Sequence, residues 1–139
     1  MSRRVAREIA FKTLFQYDQG KNEAEPFLTS LLAESGLNSN QAVFARELAL
    51  GAIAKLEELD EIIRPYLQNW QLERLPAVDK NILRLAVYEL IYRADIPIAV
   101  TINEALELCK IYHDEEAAKF LNGVLDKLAR GRAAAKEEN

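Results

Sequence analysis

The sequence predicts an all-α fold, a compact bundle of about seven helices in a single domain. Apolar residues recur at spacings of three and four through most of the 139 residues, which is the period of an α-helix rather than of a strand. Valine and isoleucine, which favour strands, fall inside these helical patterns. Glycine and proline are scarce, with five and four residues, and serve mainly to separate one pattern from the next.

Seven helical segments follow one another along the chain. They cover residues 3–19, 25–34, 39 to beyond 53, 58–68, 78–94, 101–112 and 115–131. Pro26 falls in the first turn of the second segment, where proline is tolerated. Pro65 should bend the fourth segment or shift its boundary. The last segment has Asp114 as its predicted N-cap and Gly131 as its predicted end.

The fifth and sixth segments carry the clearest local signals. The fifth is apolar on nearly every side, which predicts that it lies buried among the other helices. Its polar residues Arg84, Tyr88 and Glu89 then need partners inside the structure. In the sixth, Thr101 and Glu104 have the spacing of a capping box, which predicts the start of that helix.

Composition indicates a globular protein of ordinary domain size. Half of the residues are hydrophobic and 29% are charged, a balance typical of a chain that buries a core. We expect one domain over residues 1–131 and a polar, disordered tail over residues 132–139. The net charge of −4 and the pI near 5.1 argue against nonspecific nucleic-acid binding over the whole surface.

Several features bear on the compartment. No apolar run approaches the length of a membrane span, so no membrane partner is expected. The basic N-terminus leads into an amphipathic pattern rather than into the apolar stretch of a signal peptide. The single cysteine, Cys109, cannot form an intramolecular disulfide. Together these features predict a cytoplasmic protein.

The first residues form a basic cluster in an otherwise acidic protein. Arg4 and Arg7, next to Arg3, share one helical stripe with Phe11 and Phe15. One interpretation is a surface that offers guanidinium and aromatic groups to RNA and to a protein partner. The alternative is that the aromatic residues are core and the arginines form a solvated first turn. The pattern alone favours this alternative, because buried phenylalanine is commoner than displayed phenylalanine.

Residues that could carry catalysis or bind a metal are few. His113 is the only histidine and Cys109 the only cysteine, too few for a tetrahedral zinc site without several carboxylates. Their spacing of four would allow a Cys–His pair, but no oxyanion-forming loop accompanies it, and we interpret Cys109 as a buried thiol. The glycines are isolated, so no phosphate-binding loop is predicted. The sequence therefore predicts a helical binding module without catalytic residues, metal or cofactor.

Four segments, taken together, resemble the NusB family of bacterial transcription antitermination factors. They are residues 3–7, 79–90, 102–105 and 119–126, whose order and separation match, and the likeness extends over most of the chain. The resemblance implies an all-helical, non-catalytic protein that binds the boxA element of nascent RNA together with NusE, a small-subunit ribosomal protein. It also implies a place among other Nus factors on RNA polymerase, where premature termination is suppressed, notably on ribosomal RNA operons.

The resemblance also assigns site residues by position. It implies an RNA surface formed by Arg3, Arg4, Arg7, Glu116, Lys119 and Phe120. It implies contacts to NusE by Phe15 and Asp79, with Tyr17 as a further contact, while Phe11 stays open between core and surface. The remaining motif residues are interpreted as structural, in helix caps and close helix packing: Asn103, Glu104, Asn122 and Gly123.

Two other functions stay open at this stage. NusB-like domains also occur attached to ribosomal RNA cytosine methyltransferases, but the chain ends before a cofactor-binding α/β domain could begin, so we expect a free-standing factor. The second is a protein-only adaptor whose arginines bind an acidic protein. The sequence does not choose between a monomer and a homodimer that covers the RNA surface.

Overall fold

The structure confirms the all-α prediction. A computed structural model describes residues 3–20 and 23–138, with side chains as far as residue 132. These residues form seven α-helices and contain no β-strand. The helices are α1 (Arg4–Asp18), α2 (Ala24–Ser35), α3 (Ser39–Ala54), α4 (Leu56–Ile63), α5 (Ala77–Tyr92), α6 (Ile98–Tyr112) and α7 (Glu115–Glu138). No helix in this described part combines the length with the apolar character needed to cross a lipid bilayer.

Helix α5 lies at the centre of the bundle. Helices α1, α3, α4, α6 and α7 all pack against it, and every residue from 81 to 89 is buried. This burial confirms the prediction made from its apolar sides. Two of the three polar residues predicted to need partners, Arg84 and Glu89, have them. Arg84 Nε and Nη2 each donate to the Asp60 carboxylate at 2.8 Å, and Glu89 accepts from Arg7.

Helix α4 ends at Ile63, shortly before Pro65 and earlier than the apolar pattern predicts. The sequence predicts a helix over residues 58–68, whereas α4 stops short and a 3-10 turn, Arg64–Tyr66, follows. Proline has no N–H and its ring clashes with the preceding turn, so α-helical bonding stops here. The chain then passes through a second 3-10 turn, Leu72–Arg74, into α5. Trp70 lies in the connector between the two turns and is 56% exposed.

The capping box predicted at Thr101 and Glu104 is wrong. Helix α6 begins at Ile98, directly after Pro97, whose carbonyl accepts the Thr101 N–H at 3.2 Å. The Thr101 hydroxyl instead donates to the Glu89 carboxylate at 3.0 Å, and Glu104 pairs with an arginine of α1. Both side chains therefore serve contacts between helices, and proline rather than a capping box marks the start of α6.

Helix α7 begins as predicted and continues past its predicted end. The Asp114 carboxylate accepts the Ala117 N–H at 2.8 Å, which confirms the N-cap. Gly131 does not end the helix, which runs on to Glu138. A Cβ added at Gly131 would lie 2.5 Å from the Tyr66 hydroxyl oxygen, so this glycine allows a close approach between α7 and the 3-10 turn after α4. The disorder predicted for residues 132–139 stays a prediction.

The structure shows whether Phe11 lies in the core or at the surface, which the sequence leaves open. The Phe11 side chain is 3% exposed and its ring centroid lies 5.1 Å from that of Tyr112. Phe15, one turn further along α1, is half-buried, with its ring centroid 6.0 Å from that of Phe11. Phe11 is therefore a core residue, and Phe15 lies at the edge of the core.

Candidate nucleic-acid and partner interfaces

Arg7 lies inside the bundle rather than at its surface. Its guanidinium Nε is 3.2 and 3.1 Å from the two Glu89 carboxylate oxygens, and only 6% of the Arg7 side chain and 2% of the Glu89 side chain are exposed. The Thr101 hydroxyl donates a further hydrogen bond to this carboxylate. The solvent-facing position that the helical stripe predicts for Arg7 is therefore wrong, because α5 and α6 cover that part of α1.

Arg4 faces outward from the first turn of α1. Its side chain is 53% exposed, and its Nη2 donates to Glu104 Oε2 at 2.8 Å. This hydrogen bond and the Glu104 charge raise the pKa of Arg4 above its ordinary value. Glu104 also lies 3.8 Å from the Arg7 Nη1. One carboxylate thus orients an exposed arginine and a buried arginine of the same helix.

Three guanidinium groups surround the ring of Phe44. Arg3 lies over the ring at 4.1 Å from its centroid, with Arg93 at 5.1 Å and Arg7 at 5.2 Å. Cations over an aromatic face are attracted by the ring quadrupole. Arg93 also donates to Asp95 at 2.9 Å, and this hydrogen bond lowers the pKa of Asp95 to about 2. The contact with the Phe44 ring holds the Arg3 side chain in place. Because Arg3 is exposed, its charge still faces solvent.

The predicted RNA residues of α7 lie on an exposed face. Glu116 and Lys119 have side chains that are 86% and 75% exposed, with Lys119 Nζ 3.6 Å from Glu116 Oε1. Phe120 is half-buried, and its ring meets that of Trp70 edge-on, with centroids 6.2 Å apart and planes at 66°. The two rings, with Lys119 and Lys127, line an open groove of about 290 Å³.

Trp70 lines this groove beside Phe120, although the sequence pattern does not assign it to a site. It is the only tryptophan of the chain and stands in a polar connector rather than in a helical pattern. This position in the sequence is a signal that could have identified Trp70. An aromatic residue outside a helical pattern does not belong to the buried face of a helix. Because α7 packs against the 3-10 turn at Arg64–Tyr66, the connector brings Trp70 beside Phe120.

Gly123 does not serve close helix packing. A Cβ added at this position would meet no heavy atom within 4 Å. The prediction that Gly123 allows close helix packing is therefore wrong. Gly123 lies one turn beyond Lys119 on α7 and lines the same groove. Its missing side chain leaves that part of the groove open.

The residues predicted to contact NusE lie at the opposite end of α5 from Arg7. Phe15 and Tyr17 are half-buried near the end of α1. The Asp18 carboxylate next to them accepts from Arg84 Nη1 at 3.0 Å. Glu89, near the end of α5, pairs with the start of α1. Arg84, nearer the beginning of α5, pairs with the end of α1. The two helices therefore run antiparallel.

Asp79 is buried and bonded within the protein. Its Oδ1 lies 2.8 Å from His113 Nδ1 and 3.8 Å from Cys109 Sγ, and only 5% of its side chain is exposed. The hydrogen bond to Asp79 raises the pKa of His113 above its ordinary value. Burial, with the nearby Asp79 charge, raises the pKa of the Cys109 thiol to about 12. The thiol therefore stays protonated at neutral pH.

The structure separates the predicted groups along α5. Asp79 and Glu89 are ten residues apart on this helix, which corresponds to about 15 Å at the rise of an α-helix. The arginines of α1 gather near Glu89, whereas Phe15 lies near the Asp79 end. Lys119 and Phe120 line the groove of α7 beside Trp70.

An all-helical bundle with exposed arginines on its first helix and an aromatic groove on its last helix defines the molecule as a helical module with two candidate binding surfaces. Residues 4–130 match the sequence profile of the NusB family, so the chain belongs to the NusB family.

Similar proteins are found by sequence and by structure. The chain is 49% identical to the transcription antitermination protein NusB of Heliobacterium modesticaldum, over 99% of this chain and 67% of that protein. NusB of T. maritima is 40% identical, with a TM-score of 0.86 over 94% of this chain and 92% of that one. A crystal structure of antitermination factors NusB and NusE in complex with double-stranded RNA contains a chain that is 32% identical, with a TM-score of 0.84 over 93% of this chain and 96% of that one.

Proposed function

We propose that the protein acts in transcription antitermination by binding boxA-type single-stranded RNA together with the ribosomal protein NusE, within the Nus-factor complex on RNA polymerase, notably on ribosomal RNA operons. The observation that carries the proposal is the likeness, over 93% of this chain, to a chain in a crystal structure of NusB and NusE with double-stranded RNA. The exposed arginines and the aromatic groove supply the chemistry that such binding needs.

On the RNA side, the exposed cations supply attraction and an aromatic ring supplies stacking. Arg3 and Arg4 face solvent at the start of α1 and suit phosphate contacts, because a guanidinium offers phosphate a fork of donors. Lys119 adds charge on α7, and the half-buried ring of Phe120 offers an aromatic surface for an unpaired base. Glu116 cannot attract phosphate, but its carboxylate can accept from a base amino group.

Arg7 takes a different part in this proposal from Arg3 and Arg4. Its guanidinium is buried against Glu89, so its contribution is to fix the start of α1 in the bundle. It also shares Glu104 with Arg4, which restrains the exposed guanidinium. A direct contact between Arg7 and RNA stays a prediction from the resemblance.

On the protein side, NusE binding is proposed at the other end of α5, through Phe15, Tyr17 and Asp79. Phe15 presents the exposed part of its ring at the edge of the core, as an interface anchor does. The arginines lie about 15 Å away along α5, so RNA and NusE need not compete for one surface. Linking two weak RNA surfaces raises affinity through effective concentration, so RNA should bind weakly to the protein alone and more tightly to its complex with NusE.

This role requires binding alone, without a catalytic step or a cofactor, and it places the protein in the cytoplasm, where bacterial transcription takes place. A homodimer that covers the RNA surface would compete with RNA. Measuring the mass of the protein with and without RNA by light scattering separates a monomer from such a dimer.

The deciding experiment is a titration of labelled boxA-type RNA with the protein, in the presence and absence of NusE. We expect tight binding only with NusE, and weaker binding of a scrambled RNA of the same length and composition. Equal binding of the boxA and scrambled RNAs would contradict the proposal and favour a protein-only adaptor whose arginines bind an acidic protein.

A further inference from the structure

We propose that Trp70 and the α7 face beside it form a nucleobase-binding subsite, in which an unpaired base of the RNA stacks on the Trp70 indole next to Phe120. This inference rests on the proposed RNA-binding function and assigns a further residue to it. The ligand class is a single nucleotide within a single-stranded RNA, with its base against the indole and its phosphate toward the lysines of α7.

The first observation is the exposure of a large aromatic side chain at a fixed place. Trp70 is 56% exposed, although tryptophan is usually buried over most of its surface. Its backbone is tied into a turn, since the Trp70 N–H donates to the Leu67 carbonyl at 3.4 Å. The Phe120 ring packs against the indole in a T-shaped arrangement, with a centroid distance of 6.2 Å. The indole is therefore placed by its neighbours while much of its surface faces the solvent.

The second observation is the chemistry around the ring. The groove of about 290 Å³ is lined by Lys119 and Lys127 of α7, and by Gln68 and Asn69 of the connector. Ammonium groups beside an aromatic platform suit a nucleotide, because phosphate needs cations and every base has a face that stacks. Side-chain amides both donate and accept, so they can bond to the edge of a base. This combination favours a nucleotide over an apolar peptide.

The third observation is Gly123, a helical glycine without a packing reason. Glycine inside a helix is less stable than alanine, because it loses more conformational freedom on folding. A Cβ at Gly123 would meet no heavy atom within 4 Å, so the fold itself would accept alanine. Gly123 lines the groove. A glycine at this position lets a ligand approach the α7 backbone closely, which accounts for the absence of a side chain.

The test uses the full chain in complex with NusE and a boxA-type RNA. Trp70 is the only tryptophan in this protein, so stacking of a base should quench its fluorescence as RNA is added. The same titration with Trp70→Phe measures the background from NusE. We expect quenching that saturates together with RNA binding, measured in parallel by anisotropy of a labelled RNA.

Substitutions then separate stacking from folding. Trp70→Ala should weaken RNA binding about tenfold, whereas Trp70→Phe, which keeps an aromatic face, should lose about threefold or less. Gly123→Ala should weaken RNA binding while it raises the midpoint of thermal unfolding, a combination that a structural role would not produce. Tyr92→Ala is the matched aromatic control, since Tyr92 is 39% exposed and lies outside the groove. It should leave RNA affinity unchanged.

The outcomes distinguish this inference from the proposed function. If the unsubstituted complex binds boxA-type RNA without quenching of Trp70, and Trp70→Ala and Gly123→Ala bind it equally well, the subsite is wrong and the RNA-binding function stands. If the unsubstituted complex does not prefer boxA over scrambled RNA, the proposed function fails and the subsite falls with it.

Discussion

Arg7 and Glu89 form a buried ion pair between residues that lie 82 positions apart in the chain. The pair joins the first turns of α1 to the C-terminal half of α5, and Thr101 of α6 completes it. A buried charge that loses its partner is strongly destabilising, because neither water nor another counter-ion replaces the lost bonds. This pair therefore makes the start of α1 part of the folded core rather than a loose basic arm.

The first prediction follows from that pair. Arg7→Ala should lower the free energy of unfolding by about 3–5 kcal/mol, because it leaves Glu89 buried and unpaired. Urea unfolding followed by circular dichroism measures the change. Lys12→Ala is the control, since Lys12 pairs with Glu8 at 3.7 Å on the surface of the same helix and should cost no more than about 0.5 kcal/mol. Equal urea midpoints for the two variants would show that the buried pair does not stabilise the fold.

The second prediction concerns Arg4, the exposed partner of Glu104. Arg4→Gln should weaken binding of boxA-type RNA and reduce the slope of log affinity against log salt by about 0.7, the value for one lost contact to single-stranded phosphate. The unfolding midpoint should hardly move, because exposed ion pairs add little stability. Anisotropy titrations at several salt concentrations measure both the affinity and the slope.

Arg46→Gln provides the matched control for Arg4→Gln. Arg46 is a partly exposed arginine of α3, with 38% of its side chain exposed, that is also paired, with its Nη2 donating to the Thr29 hydroxyl at 2.8 Å. It loses the same charge at a place outside the proposed RNA surface. Equal changes of the salt slope in both variants would mean that Arg4 contributes only to the general charge of the protein, and would remove it from the RNA surface.

The helices themselves could be predicted from the sequence because their signals are local. The nearly complete apolar surface of α5 requires burial whatever its neighbours are. The Asp114 cap depends only on residues within one turn, and Ala117 does bond to it. Pro65 limits α4 for the same local reason. Such features need no knowledge of the tertiary structure.

The roles of single site residues depend on distant partners, which a helical period does not reveal. Arg7 and Phe11 share a stripe with Arg4, yet Arg7 and Phe11 are buried while Arg4 stays exposed. Thr101 and Glu104 have the spacing of a capping box, but their hydrogen bonds go to other helices. In each case a contact distant in sequence replaces the local one that the spacing suggests.

The third prediction separates an interface anchor from a core residue on the same helix. Phe15→Ala should weaken NusE binding by about 1–3 kcal/mol with a small change in stability, because its ring is only half-buried. Isothermal titration calorimetry with purified NusE measures the binding. Phe11→Ala should instead lower the free energy of unfolding by about 3–5 kcal/mol, since Phe11 is 3% exposed. Unchanged NusE affinity in a folded Phe15→Ala variant would place the interface elsewhere.

The fourth prediction concerns pH and the His113–Asp79 pair. The hydrogen bond to Asp79 raises the pKa of His113 in the folded state, with Asp114 also near, at 3.8 Å from Nε2. A raised pKa means that folding favours the protonated imidazole. The stabilisation is therefore complete below the unfolded pKa of about 6.5, and it is lost as the pH rises through the folded pKa.

Because His113 is the only histidine, its NMR titration is free of overlap and should give a pKa above about 6.5. Urea unfolding between about pH 6 and pH 8.5 should show that the stability difference between the unsubstituted protein and His113→Gln shrinks as the pH rises. The Gln variant keeps a polar side chain but does not titrate, so the difference isolates the histidine from all other groups. A measured pKa at or below 6.5, or a difference independent of pH, would mean that the pair does not hold the start of α5 against the turn between α6 and α7.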